Sequence, residues 1–489
     1  MSNSVNIDIA KGAAWMVALR LSIKGLGIIS TIILARILTP DDFGLIALAS
    51  SIYAMIELVR EFGFDTALIQ NQKAGKNQYN SAWTMQIIFS LFASILLIAC
   101  SSATADFYHD HRLESVLKVM AIIILVNGFT NIGIVDFRKN MTFSKEFNYQ
   151  LVIKLSGFCV TLPLAWYWES YWALLMGTLS GNVMSLILSF KMSVYRPKIT
   201  LIAWRELMGF SGWLFFNNIL YFINHHSQNF ILGKVGGTSS VGTFSIASEI
   251  ATLTTAEIVA PINRAAYPGY SKISHDIIKL KESYLKVLSN IILIAIPSAI
   301  GIAAISSMFV PILLGKQWLD AIPVIQIIAI ASILSSINTN SGYVYLVLKK
   351  QRITTYITLA RLVIFIPLLI LLAKAHGTLG AAWAMLLTSC ITFPINQILL
   401  KKQLNIKWGD LFNILYRPLF SALIMGGVVF QFASLFQTNG ANVFHLLFGV
   451  TLGGIVFIGA LTLLWLLKGR PESVESDYFK LIRNKILMS

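Results

Sequence analysis

Long apolar runs separated by short polar connections fill this chain, and the run lengths set the first constraint. A bilayer-spanning helix needs about 20 predominantly apolar residues. Runs of adequate length begin near residues 12, 43, 82, 113, 149, 172 and 207, and again near 240, 285, 321, 354, 378, 414 and 444. The pattern predicts an all-α membrane protein of about 14 transmembrane helices. The eighth run is the most polar, because Ser, Thr and Glu interrupt it.

Composition agrees with the pattern. Of the 489 residues 56% are hydrophobic and 12% charged, and the mean hydropathy is +0.72; a soluble protein of this size needs far more polar surface. The charges order the topology. With the N-terminus in the cytoplasm, the inside loops collect Lys73 and Lys76, Arg138 to Lys145, Lys191 to Arg205, Arg264 to Lys286, Lys349 to Arg352, Lys401 to Arg417 and a basic tail, whereas the outside loops hold little beyond Arg112, Lys234, Lys316 and Lys374. This is the positive-inside pattern, and an even number of spans keeps both termini cytoplasmic. The net charge of +16 is therefore an orientation signal, not a nucleic-acid footprint. Cys100, Cys159 and Cys390 fall in or beside apolar runs and read as core residues, not disulfides. The first apolar run is too long, and too basic at its centre, for a cleaved signal peptide, so it is expected to insert directly as a helix.

An internal repeat organises the chain. Shifted by 198 residues, Ile33 to Ser50 and Ile231 to Ser248 come into ungapped register: Ile33, Leu34, Gly44, Ala49 and Ser50 meet identical residues, Arg36 meets Lys234, and upstream Trp15 meets Trp213. Both copies start from the cytoplasmic side, so the halves are expected to be related by an axis along the membrane normal. The predicted organisation is an N-terminal lobe (1–192, helices 1 to 6), a cytoplasmic linker (193–206), a C-terminal lobe (207–400, helices 7 to 12), two additional helices expected at the periphery (401–467) and a basic tail (468–489). Two further stretches, Asp136 to Asn148 and Lys272 to Lys286, alternate apolar and basic residues as interfacial helices do.

Charges inside the spans carry the candidate chemistry. Arg20 and Lys24 share one face of the first helix, about 12 and 18 Å into a hydrocarbon slab about 30 Å thick. A charge at such depth costs roughly 2.5–3.5 kcal/mol on insertion scales, so this face is expected to line a wet or protein-bounded space that binds an anion. The seventh helix carries Asn217, Tyr221, Asn224 and Gln228 at helical spacing, with Asn218, His225 and Asn229 beside them, more amides than interhelical glue requires. Glu57 and Arg60 can pair on the second helix as an interfacial ion pair, a gate or a ligand contact. Glu249 is about 13 Å into the eighth helix; Arg264 stands past Pro261 near its exit, and Arg361 is about 10 Å into the eleventh. No GxxxxGK[ST] phosphate loop and no HExxH occurs, and adjacent His225 and His226 point about 100° apart on a helix, a poor metal clamp. No catalytic residue, metal site or cofactor is expected, and a proton or sodium ion is the candidate coupling species.

Several strings are distinctive together: ILARILTPDDFGLIALA after the first helix, FGFDTALIQ from Phe62, DFRKNMTFSKEF from Asp136, APINRAAYPGYSKI from Ala260 and PILLGKQWLDAIPVIQI from Pro311. In this order they resemble the Wzx-type polysaccharide transporter (oligosaccharide flippase) family, its colanic-acid-exporter branch above all, within the superfamily that includes multidrug and toxin extruders and lipid II flippases. The resemblance implies two six-helix lobes around a central cavity, in the bacterial inner membrane. It implies alternating-access transport of undecaprenyl-diphosphate-linked repeat units for O-antigen or exopolysaccharide synthesis, with a polymerase and chain-length machinery as candidate partners. It also implies a cavity lined by basic residues, onto which Arg20, Lys24, Arg60 and, past its proline, Arg264 map; Arg361 joins them on depth alone. On this reading Arg20 and Lys24 hold diphosphate, Asn217, Asn218, Tyr221, Asn224 and Gln228 meet sugar, and Glu57 and Glu249 gate or couple. In repeat register Arg20 meets Asn218 and Lys24 meets Phe222, so the positive charge belongs to the N-terminal half. The alternatives are an ion-coupled multidrug extruder, which needs acidic rather than basic cavity charges, and a membrane glycosyltransferase or polymerase, which needs a long acidic outside loop.

Overall fold

The computed structural model describes residues 2–58, 64–208, 212–437, 442–470 and 476, which contain helices and connections but no strand. The chain divides into two compact units, Met1–Gly242 and Thr243–Ser489.

The first unit contains α1 (Ser2–Ile37), α2 (Pro40–Glu57), α3 (Phe64–Gln70), α4 (Lys76–Tyr108), α5 (Arg112–Gly128), α6 (Val135–Lys139), α7 (Phe143–Trp168), α8 (Trp172–Met192), α9 (Trp204–Met208) and the first arm of α10 (Gly212–Lys272). The Thr-Pro-Asp-Asp string between α1 and α2 is a helix start in chemical terms. Thr39 Oγ1 accepts from the Asp42 N–H, the Asp42 carboxylate accepts from the Thr39 N–H at 3.0 Å, and Pro40 takes the first helical position, where no N–H is needed. The α4–α5 and α7–α8 pairs, with α1 on α7 and α5 on α8, form the body of the unit.

The stretch predicted as a cytoplasmic linker is strapped down. Lys198 N–H donates to Asn80 Oδ1 at 2.8 Å, Thr200 N–H to Thr84 Oγ1 at 2.9 Å and Ala203 N–H to Ser81 Oγ at 3.0 Å. Side chains on the first turns of α4 thereby satisfy backbone donors that have no helix of their own.

Two helices are too long to be single spans. At 1.5 Å per residue the 61 residues of α10 would reach about 90 Å if straight. The helix instead breaks at Gly237, whose φ of 70° and ψ of −175° suit glycine alone. The 54-residue α13 (Gln351–Leu404) breaks in the same way at His376 and Gly377. These breaks separate the predicted seventh from the eighth helix and the eleventh from the twelfth. Among the described residues nine helices are long and apolar enough to cross a membrane, and a tenth crossing is available if Arg112–Gly128 and Ile132–Lys139, bent by 66°, act as one.

The second unit holds the remainder of α10, α11 (Ile277–Phe309), α12 (Ala321–Val347), α13, α14 (Trp408–Gln437) and α15 (Val443–Leu467). Its core includes Tyr270, Tyr284 and Tyr345, each essentially inaccessible. Their hydroxyls reach Asn340 at 3.2 Å, Ser341 at 3.4 Å and Asn396 Oδ1 at 3.0 Å, which makes burial of the polar tips tolerable. The last two helices, expected from sequence at the periphery, pack against α11. Ala422 joins the tyrosine core, while Met425, Val429 and Ala433 of α14 and Leu446 of α15 share a second core with Ala304, Ile305 and Met308 of α11. The stretch 272–286 is not a separate interfacial helix. Asp276 caps α11, accepting from the N–H groups of Ile278 and Lys279 at 3.1 Å each, and α11 runs without interruption through Lys286.

Candidate functional site

Packing against α7 orients the basic pair of α1. Trp15 lies 4.9 Å from Phe147 between ring centroids, and Leu19, Leu34, Ala35 and Leu38 are buried, whereas Val17 and Leu21 are exposed. Arg20 is half-buried and Lys24 exposed. Arg60 lies outside the described residues, and the expected Glu57–Arg60 pair with it. Glu57 accepts a hydrogen bond from the Tyr53 hydroxyl at 2.9 Å.

The amides of the first arm of α10 divide into two groups with different work. His226 Nδ1 and Asn229 Nδ2 both reach Ser51 Oγ, at 3.0 and 2.9 Å, and tie the arm to α2. Tyr221 is 65% exposed and stacks on His225 with centroids 4.1 Å apart, while the Gln228 amide donates to the His225 carbonyl. Asn217 is half-buried. Asn224 buries its Oδ1 without a hydrogen-bond partner. Asn218 alone of the predicted sugar contacts lines a polar cavity of about 560 Å³ within the first unit.

Four helices besides α10 supply that cavity with side-chain amides: Gln86 from α4, Asn127 from α5, Gln150 from α7 and Asn182 from α8. These residues were not singled out from sequence, although the signal was there, since polar amides inside apolar runs are costly unless they meet partners or water. What periodicity could not show was that amides more than a hundred residues apart in the chain converge. The neighbouring Asn131 is a structural residue. Its Nδ2 donates to the Tyr195 carbonyl at 2.7 Å and its Oδ1 accepts from the Gly133 N–H at 2.9 Å, using both ends of the side chain. Arg138 also lines the cavity, and its Nη2 and Nε donate to Glu146 Oε1 at 2.7 and 3.1 Å, so its charge is already paired.

A second arrangement in the same unit joins the two copies of the repeat. A Cβ placed on Gly44 would fall 1.6 Å from the carbonyl oxygen of Thr238, and one on Gly242 would fall 1.8 Å from the carbonyl oxygen of Pro40. Gly44 and Gly242 are repeat equivalents, and so are Pro40 and Thr238. The contact is therefore reciprocal, as a local two-fold axis requires. Beside it Arg112 makes a bidentate pair with Asp110 at 2.9 and 2.7 Å and reaches Asp41 at 2.6 Å, and the Thr238 hydroxyl donates to the same Asp41 carboxylate. Arg112 was visible in the sequence only as one of few cations in the outside loops; Asp110 stands beside it in the chain, but Asp41 is 71 residues away.

In the second unit, Glu249 and Arg264 are exposed, and Arg264 Nε donates to the Ala260 carbonyl at 3.3 Å, an intrahelical contact. Arg361 buries its Nε without a hydrogen-bond partner. Arg417, counted from sequence among the inside-loop charges, is only 6% exposed in α14. No cluster of three or more His, Cys, Asp or Glu side chains that could hold a metal occurs among the described residues.

Comparison with known proteins gives a consistent picture. A sequence profile described as "Polysaccharide biosynthesis protein" matches residues 33–323. The lipopolysaccharide biosynthesis protein WzxC of Escherichia coli is 22% identical over 84% of this chain and 85% of its own. The teichuronic acid biosynthesis protein TuaB of Bacillus subtilis is 22% identical over 87% and 89%. Among solved structures, the lipid II flippase MurJ in an inward closed conformation superposes with a TM-score of 0.75 at 15% identity, over 93% of this chain and 99% of that one. An inward-facing multidrug transporter of the MATE family follows the fold with a TM-score of 0.57 at 15% identity, over 79% and 98%.

Proposed function

The chain belongs to the polysaccharide biosynthesis protein family, and from that membership we propose that it moves undecaprenyl-diphosphate-linked oligosaccharide repeat units across the bacterial inner membrane, for O-antigen or exopolysaccharide assembly. The observation that carries the reading beyond the family is the presence, in one unit, of two cations on the leading helix and an amide-lined cavity. Those are the two chemistries a glycosylated lipid diphosphate presents. A diphosphate entering low dielectric needs cations, and arginine offers it two parallel hydrogen bonds. Sugar hydroxyls need neutral donors and acceptors.

In this reading Arg20 and Lys24 receive the diphosphate, with Arg60, Arg264 and Arg361 as further candidates along the route. Glu249 is the candidate carrier of a coupling proton or sodium ion, and Glu57 the candidate gate residue. With the positive-inside orientation, the Gly44–Gly242 contact lies toward the outer face, and substrate enters from the cytoplasmic leaflet. The chain acts as a transporter and not as an enzyme, and it delivers its cargo to a polymerase on the far side.

Deleting the gene tests the reading. The expected outcome is loss of the cell's surface polysaccharide with lipid-linked repeat units accumulating in the inner leaflet, both reversed by the intact gene. Unchanged polysaccharide and no accumulation, in a strain with no second flippase gene, would sink it.

A further inference from the structure

We propose that the cavity of the first unit seats the sugar end of the transported lipid, recognising uncharged, hydroxyl-bearing rings mainly through amide oxygens. The inference rests on the flippase reading above and adds where the sugar sits and what kind of sugar fits.

The free valences of the lining decide the chemistry. Gln86 Nε2 is spent on the Asn127 and Gly128 carbonyls and on Thr130 Oγ1, at 3.1, 3.2 and 3.0 Å. Gln150 Nε2 is spent on Glu146 at 3.2 Å, and Asn182 Nδ2 on the Thr178 carbonyl at 2.9 Å. Each of the three is left with its oxygen as an open acceptor. Asn127 and Asn218 form no side-chain hydrogen bond among the described residues and keep both a donor and an acceptor for a ligand.

An acceptor-rich surface repels an anion and suits O–H and N–H donors. Arg138 of the lining is already held by Glu146, and most of the valences left open are amide oxygens, so the diphosphate is directed elsewhere. Five amides are a poor match for an acyl chain or an apolar drug, whose burial would strand their polar ends. At about 560 Å³ the space lies within the roughly 300–1,000 Å³ typical of organic ligand sites, far more than a coupling ion fills. A polyol of ring size is the ligand class that uses all of these features together.

The test compares two probes on the purified full-length protein: undecaprenyl diphosphate without sugar, and the lipid-linked oligosaccharide extracted from the source cell. In Asn127→Leu/Asn218→Leu, close in shape but unable to hydrogen-bond, affinity for the glycosylated lipid is expected to fall about tenfold or more, with affinity for the bare diphosphate unchanged. Ile153→Trp, which fills the cavity and keeps every amide, is expected to do the same; it supplies the answer if the double variant does not fold. Equal affinity of wild type and Ile153→Trp for the glycosylated lipid, or an equal loss for both probes, would overturn the sugar seat. Failure of wild type to bind either probe would instead overturn the flippase reading.

Discussion

Gly44 and Gly242 allow a quantitative test of the repeat junction. Real Cβ atoms essentially never come within 3.0 Å of a neighbouring backbone atom, and a Cβ on Gly44 would stand 1.6 Å from the Thr238 carbonyl oxygen. Gly44→Ala must therefore push α2 and α10 apart by about 1.4 Å. Overpacking of this kind costs roughly 1–3 kcal/mol, with the rigid backbone acceptor favouring the upper end. Alanine returns about 1 kcal/mol of helix propensity, leaving a net cost of about 1–2 kcal/mol. At about 1.4 kcal/mol per decade, that moves the balance between the joined and parted states roughly 5- to 30-fold toward parting. Gly242→Ala meets Pro40 at 1.8 Å and should match it. Because one separation relieves both clashes, the double variant should cost much less than the sum, the non-additivity expected of coupled neighbours. Gly427→Ala, whose added Cβ meets nothing within 4 Å, is the control for propensity alone. The assay is a spin-label distance distribution between cysteines at Ser50 and Ser239, both exposed, in a background with Cys100, Cys159 and Cys390 replaced. A longer-distance population should appear in either glycine variant and not in the control. Distributions identical to wild type in both, or full additivity in the double, would refute the reciprocal contact.

Other expectations follow from individual contacts. Asp41→Asn should part the same junction more weakly, by about 0.5–1 kcal/mol, because both Asp41 and Arg112 are 40% exposed in their ion pair and water screens it; the same spin labels read it. Arg138→Ala should lower thermal stability more than Glu146→Gln. It leaves a carboxylate that is 4% exposed without its cation, held only by the Gln150 amide, at a cost of about 2–3 kcal/mol, whereas Arg138, 49% exposed, can turn to water when Glu146 is neutralised; the reverse order in unfolding temperatures would contradict this. Arg20→Ala/Lys24→Ala should abolish surface polysaccharide at normal membrane expression, and undiminished polysaccharide would remove the diphosphate role from the pair. Backbone and side-chain hydrogen bonds from Lys279 hold the Asp276 carboxyl below its usual range. A depressed value means that the cap's charge-dependent contribution is full above about pH 4, where an unfolded-state aspartate is ionised. It is lost as pH falls through the lower folded value. Amide-exchange protection at the start of α11, measured against the intrinsic rate at each pH, should fall over that acid window in wild type and be low at all pH values in Asp276→Ala.

Much of the helical framework was legible because membrane helices announce themselves by length. The run starting near residue 82 is part of α4, and the starts near 240 and 378 fall just past the breaks at Gly237 and Gly377. The face a residue presents was far less legible. Asn218 and Asn229 look alike in the sequence, yet one lines a cavity and the other is clamped on Ser51. The last two helices were expected at the periphery, and what the sequence did not show is that apolar residues spaced along α14 join two cores.

Hydrophobic run length, charge asymmetry and the 198-residue repeat are properties of the chain itself, since water, lipid and the membrane potential act on each segment almost independently of its neighbours. They determined a polytopic membrane protein with basic charge in its leading helix and a repeated segment. Convergence of distant residues depends on how helices rotate and cross, which is decided by close packing among all of them at once. Only the tertiary structure could bring five amides from five helices around one cavity, pair Arg112 with Asp41, and set Gly44 against Thr238 while Gly242 meets Pro40.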